Sequence, residues 1–203
     1  MALVLLALVT ASVPYQPAPA RQSTPARFNV RLETSRGDVV IAVERAWAPR
    51  GADRFHDLVR QGYYDEARFF RVVAGRWAQF GIHADPKVSQ AWRTRTFPDD
   101  PRTQSNVRGV VAFAWAVPNG RTTQVFINLG NESTTLDAQG FAPFGRVVSG
   151  MDAADALYSG YGEESGGGIR GGRQDRLFEL GNAYLLERYP RLDYIRQAVI
   201  EEP

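Results

Sequence analysis

The chain is 203 residues long, 44% hydrophobic and 23% charged, with 24 basic against 22 acidic residues and no cysteine. That length holds one domain with its own core, or a domain and a tail. Near-balanced charge without a Lys/Arg cluster speaks against nucleic acid, and the lack of cysteine excludes disulfides, thiol catalysis, cysteine-based zinc sites and a lipidated cysteine anchor.

The first residues, MALVLLALVTASV, form an apolar run that is short for a membrane span and suits a signal-peptide core. Small residues follow, among them Ala18-Pro19-Ala20, although no positive n-region precedes the run. Residues 1–26 are therefore expected to be a signal peptide and a flexible leader rich in Pro, Ala, Gln and Ser. Export with cleavage, to a periplasm or medium, is the expectation; a retained N-terminal membrane anchor and a cytoplasmic protein are the alternatives. Residues 27–203 are expected to form the folded domain.

Phe28–Thr34 alternates apolar and polar residues and Val39–Val43 is β-branched, so the turn signal Ser35-Arg36-Gly37-Asp38 predicts a hairpin. Pro49 opens a helical pattern with Ala52, Phe55, Leu58 and Val59 on one face, ending before Gly62. Further strands are predicted at Phe69–Val73, Trp77–Ile82, Gly109–Ala114, Val125–Leu129 and Phe144–Val148, and a closing strand at Tyr194–Ile200. Many short strands with turn signals argue for a mainly β barrel or sandwich. Lys87–Asn106 reads as a long ordered loop, Met151–Tyr158 as a short helix and Asp175–Arg188 as a helix stopped by Pro190. Gly160–Gly172 carries seven glycines and reads as a mobile, solvated linker without the Gly-Lys-Ser/Thr of a phosphate loop.

His56 and His83 lack metal-ligand spacing, and Asp99, Asp100 and Asp137 read as turn residues. The segment Gly62–His83, GYYDEARFFRVVAGRWAQFGIH, is more informative. It sets Arg71 inside the apolar strand FFRVV, with Gln79 eight residues later on a second apolar run. A fixed five-donor cation is expensive on such a strand unless something needs it.

This segment, together with Val110–Asn128 (VVAFAWAVPNGRTTQVFIN) and Leu136–Gly145 (LDAQGFAPFG), resembles the cyclophilin-type peptidyl-prolyl cis-trans isomerases over about Phe28 to Met151. The shared signals are Gly-Tyr-Tyr-Asp and Phe-Phe before the arginine, the glutamine after it, Gln124-Val125-Phe126-Ile127 after a Pro-Asn turn, and Leu-Asp followed by Phe-Gly. QFGIHADP, in place of the commoner QGGDP, looks similar to an exported bacterial branch. The resemblance implies a closed eight-stranded antiparallel β-barrel capped by two or more α-helices. It implies an enzyme that needs no cofactor and acts, as a monomer, on proline-containing unfolded or flexible polypeptides. By resemblance Arg71 and Gln79 are catalytic: Arg71 donates to the prolyl carbonyl and lies near the nitrogen, and Gln79 bonds the substrate backbone. Trp77, Phe126, Leu136 and Phe141 would form the apolar proline pocket, and Gln124 would line the same groove. Ala114 and Trp115 would meet the peptide, the Trp115 backbone as a β-addition, and Ala116 would leave space for residues before proline.

The chain departs from the family at Arg76-Trp77, where Phe-Met is usual, at Thr135, and at Phe141, which replaces a histidine of the eukaryotic pattern and keeps the site apolar. Arg76 stands where an aromatic floors the proline pocket, which is expected to weaken the pocket or favour acidic substrates. Thr135 stands where many members have a tryptophan important for cyclosporin, so weak inhibition is expected. Arg76 and Thr135 keep open a catalytically weak proline-peptide binding module of the same fold. A secreted barrel holding a small apolar ligand is a further alternative, and it requires an enclosed internal cavity.

Overall fold

The computed structural model describes residues 23–168 and 174–201; the expected signal core lies outside them. The hairpin forms as β1 (Arg27–Thr34) and β2 (Gly37–Glu44), paired antiparallel from Arg27↔Glu44 to Thr34↔Gly37. Its alternation sends Phe28, Val30, Leu32, Val39, Ile41 and Val43 inward. Helix α1 (Pro49–Arg60) starts on Pro49, whose fixed φ suits a first helical turn, and buries Phe55, Leu58 and Val59. Its first free N–H groups are met from 49 and 50 residues away: Arg50 and Gly51 donate to the Asp100 carboxylate at 3.1 and 2.8 Å.

Next come β3 (Arg71–Val73), β4 (Trp77–Phe80), α2 (Pro86–Trp92), β5 (Val110–Phe113), β6 (Val125–Asn128), a π-helical turn at Ser133–Asp137, β7 (Pro143–Ser149), α3 (Met151–Asp155), α4 (Asp175–Arg188) and β8 (Ile195–Glu201). Helix α2 interrupts the stretch read as a loop. Its signal was local: Asp85 accepts from Lys87 N at 2.8 Å as N-cap, and Pro86 follows at the first turn.

The eight strands make one antiparallel sheet in the order β3-β4-β6-β5-β7-β2-β1-β8. A closed barrel is not shown. The edge strands β3 and β8 share no ladder, and the curled sheet's two ends meet through a single bridge, Arg68↔Tyr194. Phe69 N donates to Asp193 O and Ile195 N to Ala67 O, each at 2.9 Å. The chain runs into β3 here at a bend, so Phe69 and Phe70 precede the strand instead of opening it.

The concave face is filled by side chains, among them Leu32, Ile41, Phe55, Tyr64, Phe80, Phe113, Ile127 and Phe144. Among the described residues these side chains occupy the interior that the small-ligand alternative requires to be hollow. A second cluster lies outside it: Phe70 and Ile82 against Leu177, Phe178 and Leu185 of α4, and Leu192. Helix α4 is broken at Gly181 (φ 58°, ψ −143°), where a Cβ would stand 2.2 Å from the Ala84 carbonyl oxygen. That carbonyl accepts from Asn182 N at 3.0 Å. The break lets the helix close onto the chain leaving β4.

The glycine-rich stretch is not a solvated linker as far as Gly168. Ser165, 1% exposed, donates from Oγ to Phe70 O at 2.7 Å, and Tyr189 Oη donates to Glu164 O at 3.0 Å. Gly166 lies where a Cβ would be 2.5 Å from the Phe70 ring. The glycines allow this close approach to β3.

Candidate active site

Strand alternation builds the site on the convex face. Val72, Ala78, Phe80, Val111, Phe113, Val125 and Ile127 take the inward positions, so their neighbours Arg71, Trp77, Gln79, Ala112 and Phe126 share the other face. The register then lays a row across four strands: Arg71↔Gln79, Gln79↔Phe126, Phe126↔Ala112. A guanidinium, an amide and an aromatic ring are thereby placed side by side.

Around the row is an apolar cluster separate from the core: Ala112, Ala114, Phe126, Leu136 and Phe141, with Trp77 and Trp115 packed against it. Phe126 and Phe141 meet nearly edge to face at 5.6 Å, and Trp115 lies 5.3 Å from Phe141. The Arg121 guanidinium sits 5.5 Å from the Trp115 ring and donates to Gly140 O at 2.9 Å. Trp77, Ala114, Trp115, Phe126, Leu136 and Phe141 of this cluster wall an open pocket of about 210 Å³.

Eight of the expected residues line that pocket: Arg71, Trp77, Gln79, Ala114, Trp115, Phe126, Leu136 and Phe141. Ala116 is exposed and does not line it. Gln124 is buried behind it and opens instead on a neighbouring depression with Gln174. Thr135 lines the pocket, together with two residues that sequence reasoning missed, Gln139 and Gly168.

Arg76 is not on the pocket floor. Its guanidinium makes a two-pronged ion pair with Glu132 at 3.0 and 2.9 Å and stacks 4.1 Å from the Trp77 ring. Its charge is answered within the protein, which removes the ground for expecting acidic substrates.

Arg71 is the polar centre. Its Nη1 donates to Gln79 Oε1 at 3.0 Å, and its guanidinium lies 4.5 Å from the Trp77 ring. Its Nε and Nη2 donate to Glu163 at 2.8 and 2.7 Å. That ion pair holds the Glu163 carboxyl below the usual carboxylate range. Glu163 belongs to the glycine-rich stretch, 92 residues from Arg71, and no local sequence signal marks it. Behind Gln79 the amides continue: Gln79 Nε2 donates to Gln124 Oε1 at 2.8 Å, and Gln124 Nε2 donates to Gln174 Oε1 at 2.7 Å. Among the described residues no group of His, Asp and Glu is arranged to hold a metal ion.

What the arrangement can do follows from its parts. An apolar pocket accepts a ring of methylenes, and a rigid fork of N–H donors beside it grips an adjoining carbonyl. Among the described residues no nucleophile paired with a base borders the pocket.

Comparisons with known proteins agree. The family model for cyclophilin type peptidyl-prolyl cis-trans isomerases matches residues 29–170. Peptidyl-prolyl cis-trans isomerase A of Dickeya dadantii is 30% identical over 133 residues, covering 64% of this chain and 70% of its own. A probable peptidyl-prolyl cis-trans isomerase of Brucella abortus is 34% identical over 148 residues, covering 68% and 74%. The crystal structure of a cyclophilin type peptidyl-prolyl cis-trans isomerase of Cryptosporidium parvum aligns with TM-score 0.63 at 19% identity, over 87% of this chain and 99% of that one. A structure of the same protein in the presence of the dipeptide Ala-Pro aligns at 0.62, with 20% identity and coverage of 86% and 99%. The fold, the row across β3, β4 and β6, and the matched span place this chain in the family of cyclophilin-type peptidyl-prolyl cis-trans isomerases.

Proposed function

We propose that this protein accelerates rotation about X-Pro bonds in flexible polypeptides, acting as a monomer on proteins that fold after export. The observation that carries the reading is the juxtaposition of Arg71 and Gln79 with the pocket of Phe126, Leu136 and Phe141.

Rotation about a peptide bond faces a barrier of about 18–20 kcal/mol because twisting costs amide resonance. No bond breaks, so the site needs neither nucleophile nor metal. It must hold the planar forms more weakly than the twisted one. Burying the three ring methylenes of proline contributes roughly 2 kcal/mol, at about 0.8 per methylene, which anchors the substrate yet lets it leave. With the ring fixed, the carbonyl before it turns. Arg71 N–H groups donate to the prolyl carbonyl and face the nitrogen as its lone pair localises. Gln79, whose Oε1 is taken by Arg71, offers its remaining amide N–H to the substrate backbone. The backbone beside Trp115 supports an extended peptide as a short β-addition. Slow X-Pro isomerisation limits the folding of many chains, which makes exported proteins in the course of folding suitable substrates.

The test is cis–trans exchange of an Ala-Pro peptide followed by NMR, with wild type and Arg71→Ala compared. The reading requires a catalysed rate in wild type that drops in the variant; a wild type at the uncatalysed rate removes it. The bidentate hold of Glu163 on Arg71 favours one second reading, a proline-binding module of low turnover. The same titration separates them, since such a module broadens and shifts the peptide signals without speeding exchange.

A further inference from the structure

The stretch Tyr161–Gly168 crosses β3 beside the pocket, and with Gln174 it completes a ring of hydrogen bonds around Arg71. From the arginine the ring runs through Gln79 (3.0 Å), Gln124 (2.8 Å) and Gln174 (2.7 Å). Gln174 Nε2 then donates to Gly167 O at 3.2 Å. Gly167 lies four residues beyond Glu163, whose carboxylate holds the other side of the guanidinium at 2.8 and 2.7 Å. Gly168 backs the guanidinium, with room for a Cβ only 3.4 Å from Arg71 Cζ.

The direction of this ring is fixed from both ends. A guanidinium only donates, so Gln79 must turn its oxygen to Arg71 and its NH₂ to Gln124. A backbone carbonyl only accepts, so Gln174 turns its NH₂ to Gly167, and it pairs with Gln124 reciprocally, its oxygen accepting from Gln124 Nε2 and its own Nε2 donating back to Gln124 Oε1 at 3.2 Å. Each amide is thereby held in one of its two orientations. Three of its members, Gln79, Gln124 and Gln174, are at most 5% exposed, where an unmatched polar atom is costly. Glu163 uses the Nε–Nη2 edge of the fork. Gln79 takes one N–H of Nη1, so of the five guanidinium N–H groups one on Nη1 and one on Nη2 remain for a substrate carbonyl, and the clamp holds the arginine without using all of its donors.

We propose that Glu163 and Gln174 are positioning residues of the isomerase: they hold Arg71 and Gln79 in the geometry that the twisted amide requires. This rests on the isomerase reading above. Without the clamp the guanidinium swings on a flexible stem, and a displacement of about 1 Å at such a donor costs up to ~10²-fold in rate.

The experiment measures kcat and KM for X-Pro exchange in Glu163→Gln, in Gln174→Met, which keeps the side-chain length, in the pair together, and in Glu164→Gln as a neighbouring control. Thermal unfolding and the ¹⁵N–¹H signal of the Arg71 Nε–H, assigned by its loss in Arg71→Lys, are recorded on the same samples. Glu163→Gln is expected to lower kcat about tenfold with KM nearly unchanged and to shift the Nε–H signal. Gln174→Met is expected to lower kcat about threefold, and the double variant should lie near Glu163→Gln because both act through one arginine. Glu164→Gln should behave as wild type. A Glu163→Gln enzyme with wild-type or higher kcat, despite a shifted Nε–H signal, overturns the proposal; a higher kcat identifies the stretch as a brake. A fall in kcat only in proportion to a fall in folded protein overturns it too. A wild type at the uncatalysed rate that shows the Nε–H signal removes the isomerase reading and, with it, a positioning role.

Discussion

Replacing Arg71 with lysine keeps the charge and removes the fork. In the structure Arg71 donates to both Glu163 oxygens and to Gln79 Oε1 while facing the pocket. A lysine ammonium is a point with three tetrahedral donors, and it cannot serve Glu163, Gln79 and a substrate carbonyl from one position. Loss of one donor aimed at developing charge costs about 10²–10³ in kcat. With the charge retained, the lower end applies, about 10²-fold in kcat/KM, or about 2.7 kcal/mol at 1.36 per decade. The stability cost is much smaller. Glu163 is 52% exposed, so water replaces the arginine there and the lost ion pair is worth roughly 0.2–1 kcal/mol. Gln79 Oε1 keeps a donor, since the lysine reaches it. For a domain of this size 1 kcal/mol moves Tm by about 2–4 °C. NMR exchange on an Ala-Pro peptide, with calorimetry on the same sample, reads both quantities. Activity within threefold of wild type refutes the role assigned to the fork; a large fall in Tm alongside lost activity refutes the separation of the site from the fold.

Three more outcomes are expected. Gly181→Ala puts a Cβ 2.2 Å from the Ala84 carbonyl oxygen at a φ of 58°, and it should cost at least about 2 kcal/mol in urea unfolding; an unchanged midpoint contradicts the packing described. His56 is 5% exposed and edge-on to Phe28 at 5.0 Å, and burial, with Arg60 behind it and opposed by Asp57 and Asp53, pushes its imidazole pKa down. Its contribution is therefore complete above the unfolded value near 6.5 and is lost as pH falls from there toward the depressed folded value, so Tm should drop as pH falls below about 6.5, and His56→Leu should flatten that limb; an equal drop in the variant assigns it elsewhere. Thr135 lines the pocket, and the family resemblance implies a cyclosporin-engaging tryptophan at this position in many members, so wild type should be weakly inhibited and Thr135→Trp more strongly; tight, stoichiometric inhibition of wild type refutes this.

Much of the site was legible because strand periodicity is local. Arg71 and Gln79 fall directly opposite in a short hairpin, and apolar alternation assigns Val72, Ala78 and Ile127 to the core and leaves Phe126 facing out. The π-helical turn carrying Leu136 and the stretch carrying Phe141 then close the pocket, as the family resemblance implied. What escaped was set at a distance. Arg76 was read toward the pocket, and its direction is decided by Glu132, 56 residues later. The run of glycines was read as freedom because composition reports entropy and not a partner; here small residues let the chain lie against Phe70 and Arg71. The family resemblance places Ala116 and Gln124 on the groove, but one is exposed and the other serves the amide ring from behind. The sheet's ends meet at one bridge, where the family resemblance implied a closed seam.

The pairing of β8 with β1 joins the two extremes of the chain, with Val30 opposite Ile200 and Asn29 opposite Glu201. Synthesis releases β1 first and β8 last of the strands, so β1 must wait with one unmatched edge until the final strand of the sheet appears. Such distant partners make folding slow and leave a sticky edge exposed meanwhile. The residues that hold Arg71 from outside, Glu163 and Gln174, also emerge after every strand of the pocket. A partly made copy therefore has its arginine before it has the two side chains that hold it.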